Sequence, residues 1–548
     1  MHMRKIWLII ILSIAVFFRF FHLTSSPPGL NWDEVSIGYN AYSILKTGKD
    51  EWGQFMPLSF KAFGEHKLPA MIYASIPGIA IFGTTDLGVR VTPALIGVLA
   101  VYLIYLLSKK LLDSETIALA AALLLAISPW AVHFSRVSFE AGLAVVFVMT
   151  SVYFLIDTKS SRQNLWLAMI FAVLAGYTYN SARVLLPLLF IAYTLNTTIS
   201  LLKSKWMSLG KVLFVGILLL SPILIGLTKP EERVRLGTLS IPSQKSFIDG
   251  IAESRGYTTL PSILPRLIHN KGTHFVYALF TNYIDIFSTE FLLTRGGTNT
   301  QRSVQGMGLF YLFEAPLLII GLFVLFKQKS RYGYALKILL PWLLLAPIPS
   351  ILTIDSPSTV RVLNMLPPLI MIESIGALSI YNWAKSRKLF LAIAALFAAW
   401  NISYFAYQLF FVYPVKYSDE WLYGYKQAVL WGNKYYDSAS KIYLTAKYGE
   451  PYIYTLFYTG FDPHKFQVGP VSREVDPLGW VHVSGFDKFV FTTFTGLESP
   501  IEIVSRNTGQ LVMTTGFAEL PGDFTRDLII KAPNWKVVFE GTMQEGKQ

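Results

Sequence analysis

The sequence has no cysteine. That excludes disulfides, thiolate metal sites and cysteine nucleophiles together. Charge is also scarce. Asp, Glu, Lys and Arg make up 15% of the 548 residues, against about a quarter in a typical soluble domain. A small-x-small cleavage site is missing after the apolar run Ile6–Leu23, where Ser25, Ser26, Pro27 and Pro28 follow instead. The run, preceded by Arg4 and Lys5, therefore reads as a retained helix rather than a signal peptide. Paired broken helices in corresponding halves, the mark of an inverted-repeat transporter, are not found.

What the chain does have is apolar length. Hydrophobic residues reach 53%, aromatics 15% and mean hydropathy +0.46. The apolar residues fall in long blocks, which points to lipid as the solvent for much of the chain. The net charge of +13 sits in short Lys/Arg clusters between those blocks, a topology signal rather than a nucleic-acid footprint.

A spanning helix needs roughly 20 apolar residues. Eleven segments qualify: 6–24, 87–109, 115–134, 141–157, 164–181, 183–202, 208–227, 306–326, 334–354, 362–383 and 388–411. With Arg4 and Lys5 cytoplasmic, alternation puts Lys109–Lys110, Lys159–Arg162, Lys203–Lys205–Lys211, Lys327–Lys329–Arg331 and Lys385–Arg387–Lys388 on the same face, as the positive-inside rule requires. Counting 68–83 as a span would invert the later loops. With Pro69 and Pro77 in a short run, it reads as a re-entrant or interfacial helix. The expected fold class is thus mainly α, a polytopic transmembrane domain over 1–411 with outer loops 25–86 and 228–305. A small extracytoplasmic α/β domain follows over 412–548. Its strand-like runs are Lys441–Thr445 and Phe489–Thr493, and helix is expected between Glu420 and Tyr436.

Four clusters on the expected outer face could carry chemistry. Asp33 and Glu34 lie in the first loop, where Asn31-x-x-Glu34 also reads as a helix capping box. Glu65, His66 and Lys67 could serve a metal or a phosphate if a turn at Gly64 and Pro69 gathers them; a solvated charge run is the plainer reading. Arg136 and Glu140, four apart near His133, would share one helix face as an ion pair. Arg183 and Arg361 also fall at outer ends. An outside arginine suits a phosphate ligand, since its planar fork donates paired hydrogen bonds, or it can snorkel to lipid headgroups.

The order of PPGLNWDEVSIGYNAYSILKTGKDEWG, FGEHKLPAMIYASIPGIAIFGTTDLGVRVTPAL, SPWAVHFSRVSFEAG, RSVQGMGLFYLFEAPLLIIGL and DSPSTVRVLNMLPPL resembles the GT-C membrane glycosyltransferases, in particular the bacterial protein O-mannosyltransferase and aminoarabinose-transferase-like group. The resemblance covers about residues 1–385. It implies an inverting enzyme that moves a sugar from a polyprenyl-phosphate carrier to an acceptor at the outer face of the cell membrane. Asp33 would be catalytic with Glu34 beside it. Lys67, Arg136, Arg361 and Arg183 would bind carrier phosphate, Glu140 would support them, and Glu65 and His66 are the candidate ligands of a divalent metal ion. His66 departs from the tighter Glu-Lys-Pro pattern of the aminoarabinose transferases. No organic cofactor and no nucleic acid are expected; membrane lipids are expected partners, and the acceptor is protein, lipid or polysaccharide. A transporter or flippase of lipid-linked sugars, with Glu314 and Glu373 as polar pivots, and a glycan ligase or polymerase are the alternatives.

Overall fold

The computed structural model describes residues 2–547 apart from 158–161, 197–198, 227, 229–236, 238, 258, 260–262 and 477–479. Part of the Lys159–Arg162 cluster, part of loop 228–305 and Pro477 therefore lie outside the described residues. The described chain is mostly helical. A helix stands at each of the eleven expected spans, beginning with His2–Phe20, Asp86–Leu112 and Glu115–Ile127 and ending with Leu366–Ala384 and Lys388–Tyr407. Among the described residues, Asp86–Leu112, Lys329–Ile351, Leu363–Ala384 and Lys388–Lys416 are long and apolar enough to cross a membrane. Segment 68–83 forms a helix, Pro69–Phe82, of 14 residues. At 1.5 Å per residue it is about 21 Å long, less than the hydrocarbon core of a bilayer.

The chain divides into two compact units. The first holds 1–19, 95–135 and 140–405. At its centre, Glu314–Lys327 packs on Leu366–Ala384, which also packs on Glu115–Ile127. Two glycines permit the first contact. A Cβ at Gly321 would lie 2.0 Å from the Ile372 carbonyl oxygen, and one at Gly376 would lie 1.9 Å from that of Leu317. Only hydrogen fits there, the small-residue logic of helix packing in lipid.

The second unit holds 20–94, 136–139 and 406–548, so the loop after the first helix and the C-terminal tail fold as one body. Helix Trp32–Thr47 packs on Pro69–Phe82 and on Pro451–Thr459. The Tyr454 hydroxyl donates to the Leu30 carbonyl at 2.9 Å, and the Gln467 amide donates to Ser43, Thr47 and the Asp50 carbonyl at 3.1, 3.1 and 2.9 Å. Two strands, β1 (Phe60–Ala62) and β2 (Glu65–Lys67), form a hairpin across Phe63–Gly64. The tail carries a seven-stranded sheet of β3 (Lys441–Thr445), β4 (Val471–Val475), β5 (Val481–Phe486), β6 (Phe489–Thr492), β7 (Gln510–Gly516), β8 (Leu528–Lys531) and β9 (Val537–Glu545), in the order β4-β5-β6-β3-β7-β9-β8. β3 is central and parallel to both β6 and β7, while the other pairs are antiparallel. The two expected strands are β3 and β6, and the expected helix is Tyr425–Asn433.

Candidate active site

Asn31 caps helix Trp32–Thr47. Its side chain accepts from the Glu34 amide at 2.9 Å, and its own amide donates to Glu34 Oε2 at 3.4 Å. This is the capping box the sequence suggests, but it describes only half of Glu34. The carboxylate is fully buried. Arg90 Nε and Nη2 donate to its two oxygens at 3.1 and 3.0 Å, and the Ser138 amide donates at 3.1 Å. Arg90, also fully buried, spends its remaining donors on the carbonyls of Leu23, Pro27 and Gly29. A buried pair with such complete hydrogen bonding holds its surroundings in place, because removing either partner strands a charge. Arg90 was not singled out from the sequence. The available signal was a charge four residues inside an apolar span.

Asp33 is the preceding residue and faces a different environment. Its carboxylate pairs with the Lys67 ammonium, with the Asp33 side chain 33% exposed and that of Lys67 3% exposed. The hairpin supplies Lys67. Phe63 takes the left-handed conformation, φ 54°, and a Cβ on Gly64 would meet the Trp480 ring at 2.4 Å, so the tight turn is clamped under an indole. Successive strand residues face opposite sides. Lys67 thus reaches Asp33, while His66 Nδ1 lies 3.1 Å from the Ser59 hydroxyl. Glu65 pairs through its backbone with Ala62, and its side chain lies outside the described residues. Among the described residues no group of three or more His, Asp or Glu side chains could hold a metal ion.

Glu51 was also not singled out from the sequence. It is buried, accepts from the Asn40 amide at 3.3 Å and donates its own backbone amide to Asn40 Oδ1 at 3.0 Å. Burial lifts its carboxyl from 4.5 to about 8; the Asn40 hydrogen bond and the Lys67 charge act downward, and Asp50 acts upward.

The expected arginines divide. Arg136 is fully buried and donates to the carbonyls of Phe21, His22 and Ser26 at 2.8, 2.9 and 2.8 Å, with Nε on Ser26 at 3.0 Å. It does not share a helix with Glu140. Pro129–Phe134 ends before it, at a C-cap Ser135 whose hydroxyl bonds back to the Ala131 carbonyl at 2.6 Å, and Glu140 starts the next helix, Glu140–Leu155. The expected shared helix face is thereby corrected: the helix ends at its Ser135 cap, and residues 136–139 connect it to the next. Asp33, Glu34, Lys67 and Arg136 fall in the second unit; Arg183, Arg361, His133 and Glu140 fall in the first. Arg183 Nε donates to the Gly176 carbonyl at 2.8 Å, at the C-terminal end of helix Arg162–Gly176. His133 Nε2 meets the Gln301 carbonyl at 2.8 Å. Arg361 donates to Asp355 and, at 3.2 Å, to the Thr353 hydroxyl, while Arg302 stands 3.8 Å from the other Asp355 oxygen. Two guanidiniums around one carboxylate leave a net positive charge.

Residues 67–225 match the dolichyl-phosphate-mannose-protein mannosyltransferase family. Over its full length the chain superposes on ArnT from Cupriavidus metallidurans bound to undecaprenyl phosphate, with TM-score 0.53, 12% identity and 98% of each chain covered. The chain has a GT-C-type fold. It is a membrane protein, mostly helical, with a C-terminal sheet domain. A further similarity is to the archaeal oligosaccharyltransferase AglB from Archaeoglobus fulgidus, in complex with an inhibitory peptide and a dolichol-phosphate, at TM-score 0.48 and 15% identity over 83% of this chain. An uncharacterized protein of Aquifex aeolicus is 30% identical over 186 residues, 31% of this chain. The chain spans 37% of the Aquifex relative and 63% of the AglB chain. The family match starts at Lys67 and includes Arg90 and Arg136, but not Asp33.

Proposed function

We propose that the protein is an inverting glycosyltransferase that takes a sugar from a polyprenyl-phosphate carrier and passes it to an acceptor hydroxyl on the outer face of the membrane. The observation that carries the reading is the contrast between two neighbouring acids: Glu34 is sealed and saturated, whereas Asp33 keeps a third of its side chain accessible beside an ammonium. The mannosyltransferase family match and the undecaprenyl phosphate bound to ArnT support the carrier class.

In this reading Asp33 accepts a hydrogen bond from the acceptor hydroxyl and takes its proton as the oxygen attacks the anomeric carbon. The bond from that carbon to the phosphate oxygen breaks, and polyprenyl phosphate leaves with the electron pair. A single displacement inverts the anomeric centre. Lys67 holds the Asp33 carboxylate in one orientation and supplies positive charge to the developing anion. Glu34 and Arg90 are positioning residues that fix the helix end presenting Asp33. Arg302 and Arg361, both beside Asp355, form a fork suited to an anionic headgroup.

The test is transfer of a radiolabelled sugar from its polyprenyl-phosphate carrier by the full-length protein in vesicles. Asp33→Asn should lower the rate by about two to four orders of magnitude, the range for a positioned acid or base. Lys67 is 3% exposed, so loss of its partner should also lower stability, though less than breaking the fully buried Glu34–Arg90 pair, and turnover is compared at equal amounts of folded protein. Near-normal turnover in Asp33→Asn sinks the assignment.

A further inference from the structure

The second unit contains a cavity of about 1160 Å³ that the reaction described above does not use. It opens where the chain leaves the carboxyl end of β3, between residues 446 and 451, and runs along β5 and β6. The carboxyl ends of parallel strands are the usual ligand crevice of open α/β sheets. β3 and β6 are such a parallel pair.

Its wall is rich in aromatic rings, among them Trp32, Phe63 and Trp480. Each is fixed by its neighbours. A Cβ on Gly449 would lie 2.6 Å from the Trp32 ring, and Trp480 sits equally close over Gly64. Phe63 is buried, 6.3 Å from Trp32 between ring centroids. Rigid aromatic faces bury apolar area at low entropic cost, and the C–H faces of a sugar ring supply such area. The polar lining is acidic: Glu450, Glu474, Asp487 and Glu498 against a single lysine, Lys447. His482 joins it, with Nδ1 2.7 Å from Glu450. Ionised carboxylates accept strong hydrogen bonds from hydroxyl groups and repel anions. The volume exceeds what a single small ligand needs.

We infer that this cavity binds an uncharged oligosaccharide, and that this is the acceptor of the transfer. The acceptor assignment rests on the glycosyltransferase reading; the binding assignment does not. Trp32, in the cavity wall, is the residue before Asp33, so one helix end contributes both to the saccharide cavity and to the acid that would receive the hydroxyl proton. The acidic wall excludes phosphorylated or uronic-acid glycans, and a phospholipid headgroup with them.

The experiment is isothermal titration calorimetry of the full-length protein in lipid nanodiscs with mannohexaose, maltohexaose and hexagalacturonate. A neutral hexasaccharide should bind with saturation, and the anionic one should not. Trp480→Ala should weaken the neutral ligand at least about tenfold. Trp480 packs on Gly64, so the exposed Glu474→Lys serves as a second variant that leaves the fold intact. It should weaken binding about threefold. Absence of saturable binding by both neutral hexasaccharides overturns the inference. So does unchanged affinity in both wall variants, or binding of hexagalacturonate as tight as that of a neutral chain. Normal sugar transfer by Asp33→Asn would remove the catalytic reading while leaving the binding result standing, so the two failures are distinguishable.

Discussion

The Glu34–Arg90 pair and the Asp33–Lys67 pair start from adjacent residues of one helix, yet the first is closed to solvent on both sides and the second leaves a third of its carboxylate open. The first has its acceptors filled by Arg90, the Ser138 amide and the capping amide of Asn31. Its geometry is fixed, and nothing about it can change during a reaction without a large electrostatic cost. In the second, a two-strand hairpin supplies the lysine. Adjacent acids can thus divide the labour of holding and reacting, and burial rather than residue type decides which does which.

The comparison breaks hardest at Arg90. Arg90→Ala leaves Glu34 buried without its partner and should cost about 3–5 kcal/mol, read as a fall in thermal midpoint in detergent. Glu34→Gln combined with Arg90→Met should recover much of that loss, since it removes both charges. If the single variant melts as the wild type does, the pair does not brace the helix end.

A pH titration of stability sharpens the picture around Lys67. Glu51 keeps its proton in the folded protein up to about 8, where the unfolded chain releases it near 4.5. Between those values the folded state binds the extra proton, so this contribution to stability is full below about 4.5 and falls as pH rises toward 8. Glu51→Gln should flatten the dependence over that window in denaturation curves recorded across pH; an unchanged slope would contradict the buried environment.

Smaller effects belong to the arginines. Arg361→Ala should raise the KM for the lipid-linked donor about tenfold, the loss expected for one charge-assisted hydrogen bond. Thermal stability should change less than in Arg90→Ala. Arg183→Met removes a cation from the C-terminal end of helix Arg162–Gly176 and should cost about 0.3–1 kcal/mol, with no effect on donor KM. A loss of donor affinity in Arg183→Met would reassign it to the ligand.

The local grammar was legible. Apolar block length located a helix at each of the eleven segments, β-branched and aromatic runs located β3 and β6, and Asn31-x-x-Glu34 announced its cap. These are decisions within one turn or one strand, made by periodicity and capping chemistry. The same local reading placed Arg136 and Glu140 on one face, and failed because the helix ends at Phe134, before both, and the next begins only at Glu140.

What only the tertiary structure decided is who meets whom. Arg90 finds Glu34 across 56 positions, and Lys67 finds Asp33 across 34. The tail joins the loop after the first helix in one body, and the cavity wall draws on Trp32, Phe63 and Trp480 from three distant segments. The sequence by itself determined that the chain belongs in a membrane, because hydrophobicity adds along a segment and needs no partner. Which of two neighbouring acids is sealed and which is open depends on desolvation and on charges brought from elsewhere in the chain, and those exist only once the chain has folded.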